Sequence, residues 1–232
     1  MRLSAGPAAC FDMDGVLVDS ERVKISEWLA AVTEVCRPSP ALAAELDRYN
    51  RGHRGVPRVG KFRYVIEFLT AAGYTLPGGT LDALLARYAA LLEPLVAAAP
   101  AAPGAAEFLL GWPGSVAVAT SAPLAEAAGH LTRLGFRPMD RISAYPTSKA
   151  DALRELARQT GGATVFFGDA PSDQAAARAA RVPFVGIGDK VPLSGQPMLD
   201  HASTLSELLS RQEQIAAAVL YLAVSPGAAD RR

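Results

Sequence analysis

The sequence predicts an α/β fold: a doubly wound parallel sheet with an inserted all-helical domain. Three observations carry that expectation. Short apolar runs alternate with helical patterns from residue 103 onward. One further apolar run, Ala8-Ala9-Cys10-Phe11, stands apart near the N-terminus. Between them, residues 20–96 show helical spacing and no strand signal. Strands separated by helices pair in parallel. The helical block interrupts that alternation after its first strand, so it reads as a cap. The expected division is a core of residues 1–18 and 97–232 and a helical cap of residues 19–96.

Each element has its own local reason. The run at 8–11 ends in Asp12-Met13-Asp14-Gly15, a breaker cluster, and reads as a buried strand entering a turn. Val23, Ile25, Trp28, Leu29 and Val32 recur at helical spacing, and Pro38 and Pro40 are expected to end that helix. Residues 41–49 read as a second helix, and 50–60 as a loop rich in Gly and Arg. Phe62, Val65, Ile66, Phe68 and Leu69 mark a third helix, stopped by Gly73. Residues 81–96 mark a fourth. In the following region helices are expected at 103–110, 123–134, 148–159 and 171–180, and from Thr204 on, followed by a tail. Strands are expected at 116–119, 141–144, 163–167 and 183–187.

Composition narrows the functional classes. Half of the 232 residues are hydrophobic, enough for a buried core. Lys plus Arg number 23, equal to Asp plus Glu, so the formal net charge is zero. A general nucleic-acid binder would usually be basic, and that class is disfavoured. Two cysteines, Cys10 and Cys36, have neither metal spacing nor the density of a disulfide framework. The N-terminus lacks a signal-peptide pattern, and the longest late apolar stretch is too short to span a bilayer. The expectation is a cytoplasmic protein without membrane or nucleic-acid partners, a monomer or homodimer. His53, His130 and His201 form no metal spacing.

In open α/β sheets, ligands bind beyond the carboxyl ends of the strands. Four polar clusters fall there: Asp12 to Gly15, Thr120-Ser121, Lys149 opening a helix, and Gly168-Asp169-Ala170-Pro171-Ser172-Asp173. Crowded carboxylates repel unless a cation joins them. Asp12, Asp14, Asp169 and Asp173 converging on one place would require a hard dication, and magnesium binds through few carboxylates plus substrate phosphate. Lys149 would add a second positive charge, Thr120 a hydroxyl, and helix N-termini their N–H groups. Together these parts suit holding a phosphoryl group.

The run from Phe11 to Ser20 closely resembles the first signature of the haloacid-dehalogenase-like superfamily. Residues 116–120, ending in Thr120, resemble the second, Lys149 the third, and Gly168 to Asp173 the fourth. The cap position, between the first two, resembles the helical-cap subclass, which includes phosphoglycolate phosphatase and β-phosphoglucomutase. This resemblance implies that Asp12 attacks phosphorus and that Asp14 is the general acid and base. It implies magnesium held by Asp12, the Asp14 carbonyl and Asp169, with Asp173 on the metal or its waters. Thr120 and Lys149 would clamp the phosphoryl oxygens, beside Gly15 and Ser121. An acid at position 14 favours phosphate-ester chemistry, since dehalogenases of the superfamily lack one there and phosphonatases carry a small residue.

In this subclass the cap usually selects the substrate. Residues 50–62 carry Arg51, His53, Arg54, Arg58 and Lys61 among glycines. Gly55 to Phe62 resembles a Gly-Val-Ser-Arg-x-x-Lys-Phe segment of sugar-pathway relatives, with Pro57 in place of the Ser. Arg58 and Lys61 are the expected substrate contacts, although a solvated Arg-rich loop reads equally well. The leading expectation is a magnesium-dependent phosphomonoesterase acting on a small phosphorylated sugar, cyclitol or similar compound. The alternatives are a phosphomutase of the β-phosphoglucomutase type and a non-catalytic phosphate-ligand binder.

Overall fold

A computed structural model describes residues 6–53, 56–188 and 198–224. Among them are two compact units. One runs to Asp19 and resumes at Pro100; the other spans Ser20–Ala99.

The first unit is built on one sheet. Its strands are β1 (Ala8–Phe11), β2 (Val116–Pro123), β3 (Arg141–Tyr145), β4 (Thr164–Gly168), β5 (Phe184–Ile187) and β6 (Asp200–Ala202). They lie in the order β3-β2-β1-β4-β5-β6, and every pair is parallel. β1 and β4 are buried along their whole length, as central strands covered on both faces must be. Alternate residues divide between the two faces. Ala8, Cys10, Ala117, Ala119 and Phe166 pack with Ala152, Leu153, Leu156 and Ala177. Those last four belong to helices α7 (Lys149–Gln159) and α8 (Pro171–Ala180). On the opposite face Phe11 stacks on Phe167 at 4.7 Å, and both rings meet Phe108 edge-on. Phe108 lies on α5 (Ala105–Gly111). Aromatic pairs of this kind contribute about 0.5–1.5 kcal/mol beyond their buried area. The unit also contains α6 (Leu124–Arg133), α9 (Leu205–Leu208) and α10 (Gln212–Val224).

The second unit is helical: α1 (Glu21–Cys36), α2 (Pro40–Gly52), α3 (Arg58–Ala71) and α4 (Thr80–Ala98). Trp28, Leu46, Phe62, Val65, Leu84, Tyr88 and Leu92 form its core. Trp28 and Phe62 stack at 5.6 Å. Where the chain leaves and re-enters the α/β unit, Leu17–Asp19 and Pro100–Ala102 lie side by side. Asp19 N donates to Pro100 O at 3.0 Å, and Ala102 N donates to Leu17 O at 2.9 Å.

The structure corrects several local expectations. Pro40 begins α2, as its first residue behind the N-cap Ser39, whose hydroxyl accepts from Leu42 N. Pro123 is likewise the N-cap of α6 and the last residue of β2. The segment 50–60 is mostly helix, because α2 runs through Gly52 and α3 starts at Arg58. Arg54 and Gly55, and the tail beyond residue 224, lie outside the described residues. β6 carries no apolar run, and its Asp200 is held by Arg211 through both oxygens at 2.7 and 2.9 Å. The helical stretch after Thr204 is broken by a 3-10 turn at Leu209–Arg211. Among the described residues, no helix is long and apolar enough to cross a membrane.

Candidate active site

β1 is the strand at which the sheet's order reverses, with β2 on one side and β4 on the other. A crevice opens beyond the carboxyl ends at such a point. Asp12 follows the last residue of β1, and its N–H donates to Phe167 O at 2.8 Å. The chain then turns tightly. Leu17 N and Val18 N both donate to Met13 O at 2.9 Å, and Gly15 N donates to Val18 O at 2.8 Å. Gly15 has φ +81°, a conformation that glycine adopts without strain. Asp169 follows Gly168 at the end of β4, and Asp173 lies in the first turn of α8. Lys149 opens α7 behind the N-cap Ser148.

These elements bring four side chains together. Lys149 Nζ lies 2.8 Å from Asp12 Oδ1 and 2.6 Å from Asp173 Oδ1. All three side chains are buried, that of Asp173 at 0% exposure. Carboxylate oxygens of Asp12, Asp169 and Asp173 lie within 4.8 Å of one another. Asp12 Oδ1 also accepts from Met13 N at 2.8 Å, and Asp173 Oδ2 accepts from Ala170 N at 3.1 Å.

The electrostatics follow from this crowding. Burial raises the pKa of Asp12; Lys149 opposes the shift, and Asp173 and Asp14 add to it. Burial alone would pull Lys149 down, but the Asp12 and Asp173 carboxylates outweigh it and hold its pKa above the ordinary lysine value. Asp12 and Asp173 thus share one ammonium, Asp169 adds a third buried carboxylate to the cluster, and Asp14 is a fourth acid acting on Asp12. A donor set of clustered carboxylate oxygens with surplus negative charge fits a hard dication such as magnesium. The cradle is tight as well, since no side chain fits at Gly15 beside Asp169.

The other expected residues are placed as follows. Asp14 is half-buried in the turn and bridges to Val18 through its backbone. Thr120 is buried, and its Oγ1 accepts from Ala122 N at 3.1 Å. It lies with half-buried Ser121 where the β2–β3 register shifts between Ala119 and Pro123. Arg58 and Lys61 belong to the helical unit. There the Arg58 guanidinium stands 5.2 Å from the Tyr88 ring, and Lys61 Nζ donates to Asn50 Oδ1 at 2.9 Å. Asn50 is buried and donates from Nδ2 to Ile25 O at 3.2 Å. Sequence reasoning passed over Asn50. The signal was its spacing four residues after Leu46, which puts a polar side chain on the buried face of α2. Of the other basic residues near it, Arg51 pairs with Asp47 at 2.8 Å.

Comparison with known proteins agrees with this architecture. A hydrolase from Pseudomonas syringae has a similar structure, with a TM-score of 0.72 at 22% identity over 90% of this chain and 99% of its own. A predicted phosphoglycolate phosphatase from Haemophilus somnus 129pt gives 0.68 at 16% identity, over 90% and 98%. A β-phosphoglucomutase from Clostridium difficile gives 0.68 at 16% identity, over 92% and 99%. No curated protein matches the chain. The family model described as haloacid dehalogenase-like hydrolase matches residues 7–181. The chain belongs to the haloacid dehalogenase-like hydrolase family.

Proposed function

We propose that this chain is a magnesium-dependent phosphomonoesterase that hydrolyses a small phosphorylated metabolite, a sugar, cyclitol or similar phosphate. One observation carries the reading: Asp12, Asp169 and Asp173 gather their oxygens within 4.8 Å, with Lys149 joined to Asp12 and Asp173. A carboxylate nucleophile beside an ammonium and a dication site is what transfer of a doubly charged phosphoryl group requires. Asp12, Asp169 and the Asp14 carbonyl would hold the metal, which when bound would neutralise charge on the phosphoryl oxygens.

The residues of this chain divide the work. A carboxylate oxygen of Asp12 attacks phosphorus, and the bond from phosphorus to the ester oxygen breaks. Asp14 gives its proton to that departing oxygen. Water then attacks the aspartyl phosphate, and Asp14 takes a proton back as the bond to Asp12 breaks. Phosphate leaves and both acids are restored. Lys149 and Thr120 hold the phosphoryl oxygens, beside Ser121 and the turn at Gly15, and the fixed ammonium needs no reorganisation at the moment of transfer. Arg58 and Lys61 contact the leaving group and select it.

The direct test is phosphate release from p-nitrophenyl phosphate and from a panel of sugar, polyol and nucleotide phosphates. Release that requires magnesium and stops with a chelator is the expected result. Isomerisation of a sugar phosphate without stoichiometric phosphate release would favour a mutase instead. No turnover of any phosphate ester would refute both.

A further inference from the structure

Asn50 lies near the end of α2 at 1% exposure, four residues after fully buried Leu46 and on the same face. A side chain so deeply buried needs partners for its polar atoms. It has one at each end: Nδ2 donates to Ile25 O at 3.2 Å, and Oδ1 accepts from Lys61 Nζ at 2.9 Å. The two partners fix which way the carboxamide points. Turned over, it would set its NH2 against the ammonium and its oxygen against the Ile25 carbonyl. Asn50 thus ties an ammonium on α3 to the backbone of α1. The other end of Lys61 is tied to α1 as well. Its neighbour Phe62 is fully buried and stacks on Trp28 at 5.6 Å, with the rings 3° from parallel. Trp28 follows Ile25 by one helical turn on α1. α1 therefore sets both where the Lys61 side chain starts and where its charge ends. A lysine stem left to itself spreads its ammonium over many rotamers. Asn50 is uncharged, so the bond that fixes the ammonium does not itself cancel its charge.

We infer that Asn50 is a specificity-determining positioning residue: it holds the Lys61 ammonium at a fixed point of the helical unit, and through Lys61 it acts on the choice of leaving group. The kinetic consequence rests on the phosphohydrolase reading. The hold on Lys61 stands apart from turnover.

The test uses the full-length protein, Asn50→Ala, Asn50→Leu, Lys61→Ala, and each Asn50 change combined with Lys61→Ala. Asn50→Leu fills a similar volume without either hydrogen bond, so it keeps the fold should the cavity of Asn50→Ala unfold it. Acetylation of Lys61 by a limiting active ester, read by peptide mass spectrometry, reports the hold on the ammonium without substrate. It should run about fivefold faster in either Asn50 variant than in the parent. On the best substrate of the phosphate panel, KM should rise about fivefold in the Asn50 variants, with kcat near the parental value. In the Lys61→Ala background either Asn50 change should add nothing, because residues acting through one contact are not additive. Parental labelling rates in both Asn50 variants would overturn the inference. An Asn50 variant that melts lower but keeps its KM, or that raises KM equally with and without Lys61, would make Asn50 structural only and also overturn it. Unchanged KM in Lys61→Ala would overturn the specificity role whatever the labelling shows. If the parent turns over no phosphate ester, the phosphohydrolase reading fails, and the labelling comparison still decides whether Asn50 holds Lys61.

Discussion

Gly15 approaches Asp169 so closely that a methyl group on its Cα would stand 2.4 Å from Asp169 Oδ2. The two residues come from different strand ends, and the contact forms only where β1 and β4 lie side by side. Gly15→Ala meets two penalties. Its φ of +81° costs an L-residue about 1–2 kcal/mol, and the new methyl must push the Asp169 carboxylate aside. Loss of magnesium binding and a fall in turnover of about a hundredfold or more are expected. Calorimetry and steady-state kinetics check both, and retention of parental values would show that Asp169 is not part of the site.

Asp12→Asn is expected to abolish turnover while the fold survives, and to raise thermal stability when metal is chelated. The pKa of Asp12 is raised chiefly by burial, so the folded protein binds this proton more tightly than the unfolded chain does. Ionising it therefore costs stability as pH climbs out of the ordinary carboxylate range. At pH 8 with chelator, the variant should melt about 2–4 °C above the parent, and the gap should close near pH 4. Calorimetric scans at both pH values read this directly. A variant less stable than the parent at pH 8 would contradict the direction of the shift.

Charge removal at Arg58 or Lys61 should raise KM by about tenfold and leave kcat nearly unchanged. This pattern marks a contact made equally in the ground and transition states. Initial-rate kinetics on the best substrate of the panel are the check, and unchanged constants in both Ala variants would remove these residues from the substrate site.

Both thiols should be silent in the native protein. Burial pushes Cys10 up to about 12 and raises Cys36 as well. At pH 8 neither is expected to react quickly with a disulfide reagent, and both should react after denaturation. One rapid equivalent from native protein would place one of the thiols on the surface.

What the sequence disclosed depended on how local each signal was. β1 was legible because Ala8, Ala9, Cys10 and Phe11 are all apolar and a breaker follows. Lys149 could be placed at a helix start because Ser148 is a good N-cap. β6 was hidden because Asp200 and His201 are polar and the strand forms by pairing with β5. The segment around Arg51 read as a loop because its composition is glycine- and arginine-rich. The burial of Asn50 and Phe62, which carries the helices into that segment, comes from packing within the helical unit. The sharing of Lys149 between Asp12 and Asp173 was out of reach for the same reason, since it needs α7 and α8 side by side. The stretch after Ala119 was read as ending β2, whereas the strand continues to Pro123 through an irregular register.

The hydrogen bond from Asp19 to Pro100 has an evolutionary corollary. An insert whose two ends emerge shoulder to shoulder leaves its host's backbone closed, whatever its length. Loop-closure entropy grows only slowly with length, so exchanging one insert for another perturbs the host little. The cluster of Asp12, Asp169 and Asp173 can then keep its geometry while one insert replaces another.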